Sequence, residues 1–285
     1  MDINAGTLYV VGTPIGNLED MTFRAIQVLQ KVGAIAAEDT RHTGKLLQHF
    51  QISTPQISYH DHNRSARMPE LLSRLQRGEA IALVTDAGMP GISDPGYELV
   101  RDCIAVNIPV VPIPAATAAI TALSASGLPT DRFVFEGFLP TKLKLRRDRL
   151  DQLQSESRTL IFYEAPHRLL ETLMDLAVTF GGDRAVVAAR ELTKRFEEFW
   201  RGTLDEAIAH YRQHHPQGEF TVIVAGMQRD QPILSEDALK SELQILIRQG
   251  LSRSQASRQL AKQTTLSRRQ IYQLALAIAD DEAIK

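Results

Sequence analysis

Residues 81–96 read IALVTDAGMPGISDPG. An apolar run, Ile81 to Thr85, passes directly into a loop carrying Gly88, Pro90, Gly91, Pro95 and Gly96. The prolines block a helix there, and the glycines permit backbone angles that other residues avoid. Such a loop bares main-chain N–H and C=O groups to a ligand. In an open α/β sheet, ligands sit at the carboxyl ends of the strands. The loop is therefore the first candidate for a binding site. Taken alone it reads equally well as a tight strand-to-helix turn, so its meaning depends on the other strand ends.

Working outward, short apolar runs alternate with helical spacing over the first 125 residues. Leu8–Val11, Ala34–Ala37, Ile57–Tyr59, Ile81–Val84 and Val110–Ile113 read as strands. Met21–Val32, Ala66–Gln76 and Tyr97–Val106 read as helices. This alternation predicts a parallel α/β sheet, and continuously apolar strands predict one covered on both faces. A second α/β block follows, with strands at Phe133–Phe138, Thr159–Tyr163, Ala185–Ala189, Glu197–Arg201 and Phe220–Ala225. Helices are expected at Leu169–Phe180 and Leu204–Arg212, and the spacing around Gly202 predicts a mixed sheet. We expect an N-terminal domain over 1–121, a second over 122–229 and a helical tail over 230–285.

The tail opens with a proline break at Pro232 and predicts three helices, Ser235–Gln249, Arg253–Lys262 and Ser267–Ala279. From Arg248 to Ala279 there are six Arg or Lys residues and no acid. Two short serine-started helices joined by a turn look like a helix-turn-helix, and basic capped helices are good phosphate binders. The alternative is a solvated helical appendage. A chain of 285 residues with net charge −2 gives no global pull toward nucleic acid or membrane, so local charge must carry such an argument. The single cysteine, Cys103, sits in an apolar helical pattern and reads as packing. No basic leader and no uninterrupted apolar span is present, so a cytoplasmic protein is expected.

Distinctive clusters, Gly-rich, small or densely polar, follow six other strands. The first strand runs into Val11-Gly12-Thr13-Pro14-Ile15-Gly16-Asn17-Leu18, Gly-rich but lacking the dinucleotide fingerprint. Glu38-Asp39-Thr40-Arg41-His42-Thr43 ends the second, where Asp39 or Glu38 could accept a proton and Arg41 could hold a phosphate. His60 and His62 flank Asp61 without a third ligand at metal spacing, so a polar rim is expected rather than a metal. Ala115-Ala116-Thr117 opens a helix of small residues that a ligand could approach closely. Tyr163-Glu164-Ala165-Pro166-His167-Arg168 and Arg190-Glu191-Leu192-Thr193-Lys194-Arg195 repeat the pattern in the second block. So many strand ends of one kind point to a cleft. Lys142, Lys144, Arg146, Arg147 and Arg149 form a basic helix that could steer an anionic polymer.

In this order and spacing, GTPIGNLEDMT, AEDTRHT, YHDHN, TDAGMPGISDPG, FEGFLP, YEAPHR and RELTK resemble the ribosomal RNA small subunit methyltransferase I family. The wider group is the tetrapyrrole methylase superfamily. The resemblance spans residues 7–227, and the tail also looks like that family's. It implies S-adenosylmethionine-dependent 2′-O-methylation of a cytidine in small-subunit ribosomal RNA near the decoding centre, by a homodimer of two-domain α/β chains. It carries cofactor contacts to Pro14, Ile15, Met89, Ile92, Ser93, Ala115, Ala116, Thr117, Tyr163, Leu192 and the region of Glu219. The chain departs from many relatives in having Gly88-Met89-Pro90 for Gly-Asp-Pro, where Asp86 or Asp94 could compensate, and Ala165 for serine. A ribose hydroxyl is a poor nucleophile, so a base would help. Asp39, Glu38, Glu164, His167 and Lys194 are candidates, with Arg41, Arg168 and Arg195 for flanking phosphates. The site we expect combines Asp39, Arg41, Glu164 and His167. The partner would be small-subunit RNA, naked or assembled. Two rivals are a small-molecule, tetrapyrrole-type methylase and a non-enzymatic nucleic-acid-binding regulator. The basic helix around Arg146 and the helix-turn-helix tail argue against the first, and the strand-end clusters against the second.

Overall fold

A computed structural model describes residues 2–227, 235–261, 264 and 266–278. The chain divides into two compact units, Met1–Met227 and Gln228–Lys285. The expected boundary at 229–230, together with Pro232, Lys262 and Ala279, lies outside the described residues.

The first unit holds two sheets. Strands β1 (Leu8–Val11), β2 (Ala34–Ala37), β3 (Gln56–Ser58), β4 (Ile81–Val84) and β5 (Val110–Ile113) form an all-parallel sheet in the order β3-β2-β4-β1-β5. Every residue of β1, β2 and β4 is buried, as expected for strands covered on both faces. Their period of two sends Tyr9, Val11, Ile35 and Ala82 to one face, against α1 (Phe23–Lys31) and α2 (Thr40–His49). Leu8, Val10, Ala36 and Leu83 go to the other, against α3 (Arg64–Gln76) and α4 (Tyr97–Ala105). The chain thus leaves β1 toward one face and β4 toward the other. Adjacent strands whose connections diverge open a crevice at their carboxyl ends. Cys103 is buried in the α4 core, which pushes its thiol up to about 12, and it packs as expected.

The second sheet, β6-β7-β10-β8-β9, is mixed. Here β6 (Phe133–Phe138) pairs in parallel with β7 (Thr159–Glu164), while β8 (Ala185–Arg190), β9 (Glu198–Thr203) and β10 (Phe220–Val224) pair antiparallel. Leu160, Phe162, Val186 and Val222 bury one face under α6 (Leu143–Leu153), α7 (Pro166–Phe180) and α8 (Leu204–Gln213). Ile161, Val187 and Ile223 bury the other under α5 (Ala118–Ser126). The expected boundary at residues 121–122 falls inside α5, whose Ala119, Ala122 and Leu123 pack on the second sheet.

The basic helix differs from its sequence reading. Arg146 is fully buried, donating to Asp175 at 2.7 Å and to Glu171. Arg147 pairs with Asp175 and Arg149 with Glu136. Three of the five cations are thus neutralised by partners distant in sequence, leaving Lys142 and Lys144 exposed.

In the second unit, α9 (Glu236–Arg248), α10 (Arg253–Ala261) and α11 (Arg268–Ala277) enclose Leu239, Leu243, Leu246, Leu260 and Ile271. Ser267 and Gln270 form a reciprocal capping box that starts α11. No described helix is long and apolar enough to cross a membrane.

Candidate active site

The crevice between β1 and β4 is closed by paired loops. Thr13 and Gly88 exchange backbone hydrogen bonds of 2.9 and 3.1 Å, and the Thr13 hydroxyl donates to the Thr85 carbonyl at 3.1 Å. A side chain at Gly12 would place Cβ 2.5 Å from Met89 Sδ and 2.6 Å from the Ala115 Cβ, so only glycine lets the loops after β1, β4 and β5 meet.

The second sheet supplies the facing wall. Asn17 N–H donates to Thr193 Oγ1 at 3.1 Å, and a Cβ at Gly16 would come within 3.0 Å of the Leu192 carbonyl oxygen. The Ala119 N–H donates to the Tyr163 hydroxyl at 3.2 Å, tying the start of α5 to β7. Ser93, Glu191 and Thr193 all have left-handed backbones, with φ of 62°, 49° and 65°. Non-glycine residues pay for that geometry only where their surroundings impose it. All three belong to the loops that meet here.

Between these loops lies a cavity of about 270 Å³. Of the residues expected to touch a cofactor, Ile15, Met89, Ile92, Ser93, Thr117, Tyr163, Leu192 and Glu219 line it. Pro14, Ala115 and Ala116 stand outside the lining; the alanines support it, since the Ala116 carbonyl oxygen sits 3.8 Å from where a Gly88 Cβ would be.

Of the four residues expected to do chemistry, only Glu164 reaches the wall. It is 2% exposed, accepting from the Ala165 N–H at 2.9 Å and the Thr172 hydroxyl at 2.6 Å. Its carboxylate is therefore occupied in fixing the start of α7. Asp39 caps α2 and binds Arg41 through both oxygens, at 3.1 and 2.7 Å. The Arg41 side chain and the Arg41 N–H hold the Asp39 carboxyl well below its usual range, which makes it a weak proton acceptor. His167 is exposed on the first turn of α7. Burial alone would lower Lys194, but hydrogen bonds to Glu219 at 2.5 Å and Glu191 at 2.9 Å raise it, keeping it a cation.

A second group of acids was visible in the sequence only in fragments. Burial raises Glu38 at the end of β2 despite a hydrogen bond from the Asp86 N–H. The buried Asp86 Oδ1 has no hydrogen-bond partner among the described residues. Asp94, which lines the cavity, is pushed up to about 7 by burial and then by Glu38, Asp86 and Asp61. Among the described residues no three His, Cys, Asp or Glu side chains are grouped to hold a metal ion.

The cavity's composition suits S-adenosylmethionine. Ile15, Met89, Leu192 and the Tyr163 ring offer apolar surface for a nucleoside, while bare loop backbone and the start of α5 offer hydrogen bonds for its polar ends.

Residues 7–208 match the family model for tetrapyrrole (corrin/porphyrin) methylases. The chain is 62% identical over 277 residues to a ribosomal RNA small subunit methyltransferase I of Synechocystis sp., covering 97% of this chain and 99% of that one. It is 52% identical over 242 residues to the protein of that name from Escherichia coli O157:H7, covering 84% and 85%. The fold is similar to that of the methyltransferase CobJ, with TM-score 0.60 and 17% identity over 79% of this chain and 97% of that one. It also resembles uroporphyrin-III-C-methyltransferase from Thermus thermophilus, with TM-score 0.55 and 20% identity over 77% and 94%.

Proposed function

The chain belongs to the tetrapyrrole methylases and to the ribosomal RNA small subunit methyltransferase I family, and from that membership we propose that it transfers a methyl group from S-adenosylmethionine to a cytidine ribose 2′-oxygen of small-subunit ribosomal RNA. The observation that carries the reading is the cavity where loops of both sheets converge, lined by eight of the positions at which the family resemblance implies cofactor contacts.

When bound, the donor supplies a methyl carbon made electrophilic by its sulfonium. The protein's part is to fix geometry. Ile15, Met89, Leu192 and Tyr163 would hold the nucleoside, with Pro14, Ala115 and Ala116 behind them. Ile92, Ser93, Thr117 and Glu219 complete the enclosure. Holding donor and acceptor in line supplies a large part of the acceleration in a displacement of this kind. Lys194, clasped by Glu191 and Glu219, ties the loop after β8 to β10 and keeps Leu192 on the wall.

The basic tail favours RNA over a tetrapyrrole as acceptor. Arg248, Arg258 and Arg269 are exposed and make no ion pair among the described residues. Arg41, with an 89% exposed side chain, holds Asp39 through Nε and Nη2 and leaves Nη1 for a backbone phosphate. A cytoplasmic homodimer acting on naked RNA or assembled subunits follows the family, and sedimentation will give its mass.

The test combines calorimetric titration with S-adenosylmethionine and transfer of labelled methyl to small subunits, or their RNA, from cells lacking this protein. Binding, with label released on a 2′-O-methylcytidine, is expected. Label on a tetrapyrrole and none on RNA would select the small-molecule reading.

A further inference from the structure

Of the groups lining the cavity, Asp94 stands apart. It lies in the loop between β4 and α4, half-buried, and follows Ser93, whose left-handed φ of 62° turns the chain there. Gly137, with φ 63°, leaves room for Ser93 Oγ, which would sit 3.1 Å from a Cβ at that position. The loop is thereby held against the second sheet. The Asp94 carboxyl makes no hydrogen bond or ion pair among the described residues, unlike Glu164, Asp39 and Glu219.

On the first sheet's edge are Glu38 after β2, Asp61 after β3 and Asp86 after β4, all acids. Facing it on β7 is the Tyr163 hydroxyl, which donates no proton to it and accepts from the Ala119 N–H. Across the cavity, Glu164 is fully hydrogen-bonded and Lys194 is paired with Glu191 and Glu219. Among the described residues no cation is paired with Asp94. A free carboxyl in a cavity, surrounded by other acids, has the surroundings that favour taking up a proton.

We propose that Asp94 is the general base of this enzyme, accepting the proton of the acceptor hydroxyl as that oxygen attacks. The inference rests on the RNA reading above. In the step, the oxygen–hydrogen bond breaks and its proton passes to an Asp94 oxygen. The freed pair forms the oxygen–carbon bond to the methyl group, and the carbon–sulfur bond breaks with its pair on sulfur. One cationic sulfonium and one carboxylate become a neutral thioether and a carboxylic acid, so no metal or redox partner is needed to balance it. Burial and the neighbouring acids push the Asp94 carboxyl up to about 7, close to the pH at which a general base works best.

The experiment compares wild type with Asp94→Asn, Asp94→Glu and Glu38→Gln in the full chain, using S-adenosylmethionine and small-subunit RNA. Wild-type kcat/KM should rise tenfold per pH unit below about 7 and level off above it. With S-adenosylmethionine saturating, Asp94→Asn should lose about 10²–10⁴-fold in kcat and lose the acid limb, whatever change its place on the cavity wall brings to cofactor affinity. Asp94→Glu should restore part of the rate, and Glu38→Gln should move the limb to lower pH by removing a neighbouring negative charge. Independently of activity, ¹³C-carboxyl labelling should show an aspartate resonance titrating near 7 that vanishes in Asp94→Asn. Wild-type turnover or an unchanged limb in Asp94→Asn would overturn the assignment. A wild type that binds S-adenosylmethionine but labels no RNA would overturn the RNA reading instead, and the carboxyl titration separates the two failures.

Discussion

At the scale of single residues, the cavity is ruled by what each carboxylate already holds. Glu164 and Asp39 each adjoin a strand end, while Asp94 lies deep in the loop between β4 and α4. Folding gives Glu164 a hydroxyl and an amide and gives Asp39 an arginine two residues away, while Asp94 receives only other acids. The Asp39 pairing is local and readable in AEDTRHT. The Asp94 environment is not, because Glu38, Asp61 and Asp86 arrive from three different strand ends. Folded Asp94 keeps its proton up to about 7, whereas its ordinary value is 3.8. Between those values the folded state binds more protons than the unfolded one, so this group's contribution to stability falls as pH rises. Asp94→Asn should therefore gain stability relative to wild type between about pH 4 and pH 8. Urea unfolding of both proteins at the two pH values checks this, and an equal difference at both would mean that Asp94 is ionised throughout.

At the scale of elements, period and punctuation were legible, and long-range partners were not. Apolar runs place all ten described strands within two residues. Helix α2 escaped because its first turn is the polar TRHT and only Thr43, Leu46 and Leu47 are buried. Helix α6 reads from its sequence as a basic helix, yet its central Arg146 points inward. Asp175, which holds Arg146, lies 29 residues away on α7. Removing one member of a buried ion cluster strands the other, so Arg146→Ala should cost about 3–5 kcal/mol. Lys142→Ala and Lys144→Ala, at exposed positions, should stay within about 0.5 kcal/mol of wild type. Urea midpoints decide between a structural and a solvated helix. In the tail, Arg268 donates to Ser254 at 2.9 Å, while Arg269 is exposed beside it at the start of α11. The double substitution Arg268→Ala/Arg269→Ala should weaken RNA binding and lower the salt slope by about 2, leaving S-adenosylmethionine affinity unchanged. An unchanged salt slope would make the tail an appendage rather than an RNA contact.

At the scale of the whole first unit, one sheet cannot make the site by itself. The parallel sheet contributes the loops after β1, β4 and β5; the mixed sheet contributes Tyr163, Leu192, Lys194 and Glu219. The strand-end motifs made a shared cleft readable from the sequence, but only the fold shows the clasps, Asn17 to Thr193 and Ala119 to Tyr163, that join its two sides. A ligand bound across such a join stabilises both halves together. At one hundred times its Kd, S-adenosylmethionine should add about 2.7 kcal/mol to unfolding of the unit. Hydrogen exchange should then slow at amides on both sides, around residues 87–93 and 117–119 as well as 191–194. Protection confined to the parallel sheet would mean that the second sheet serves only the acceptor. Protection on both sides would mean that the donor itself draws the clasps shut, and that the surface meeting the RNA is completed only once the donor is bound.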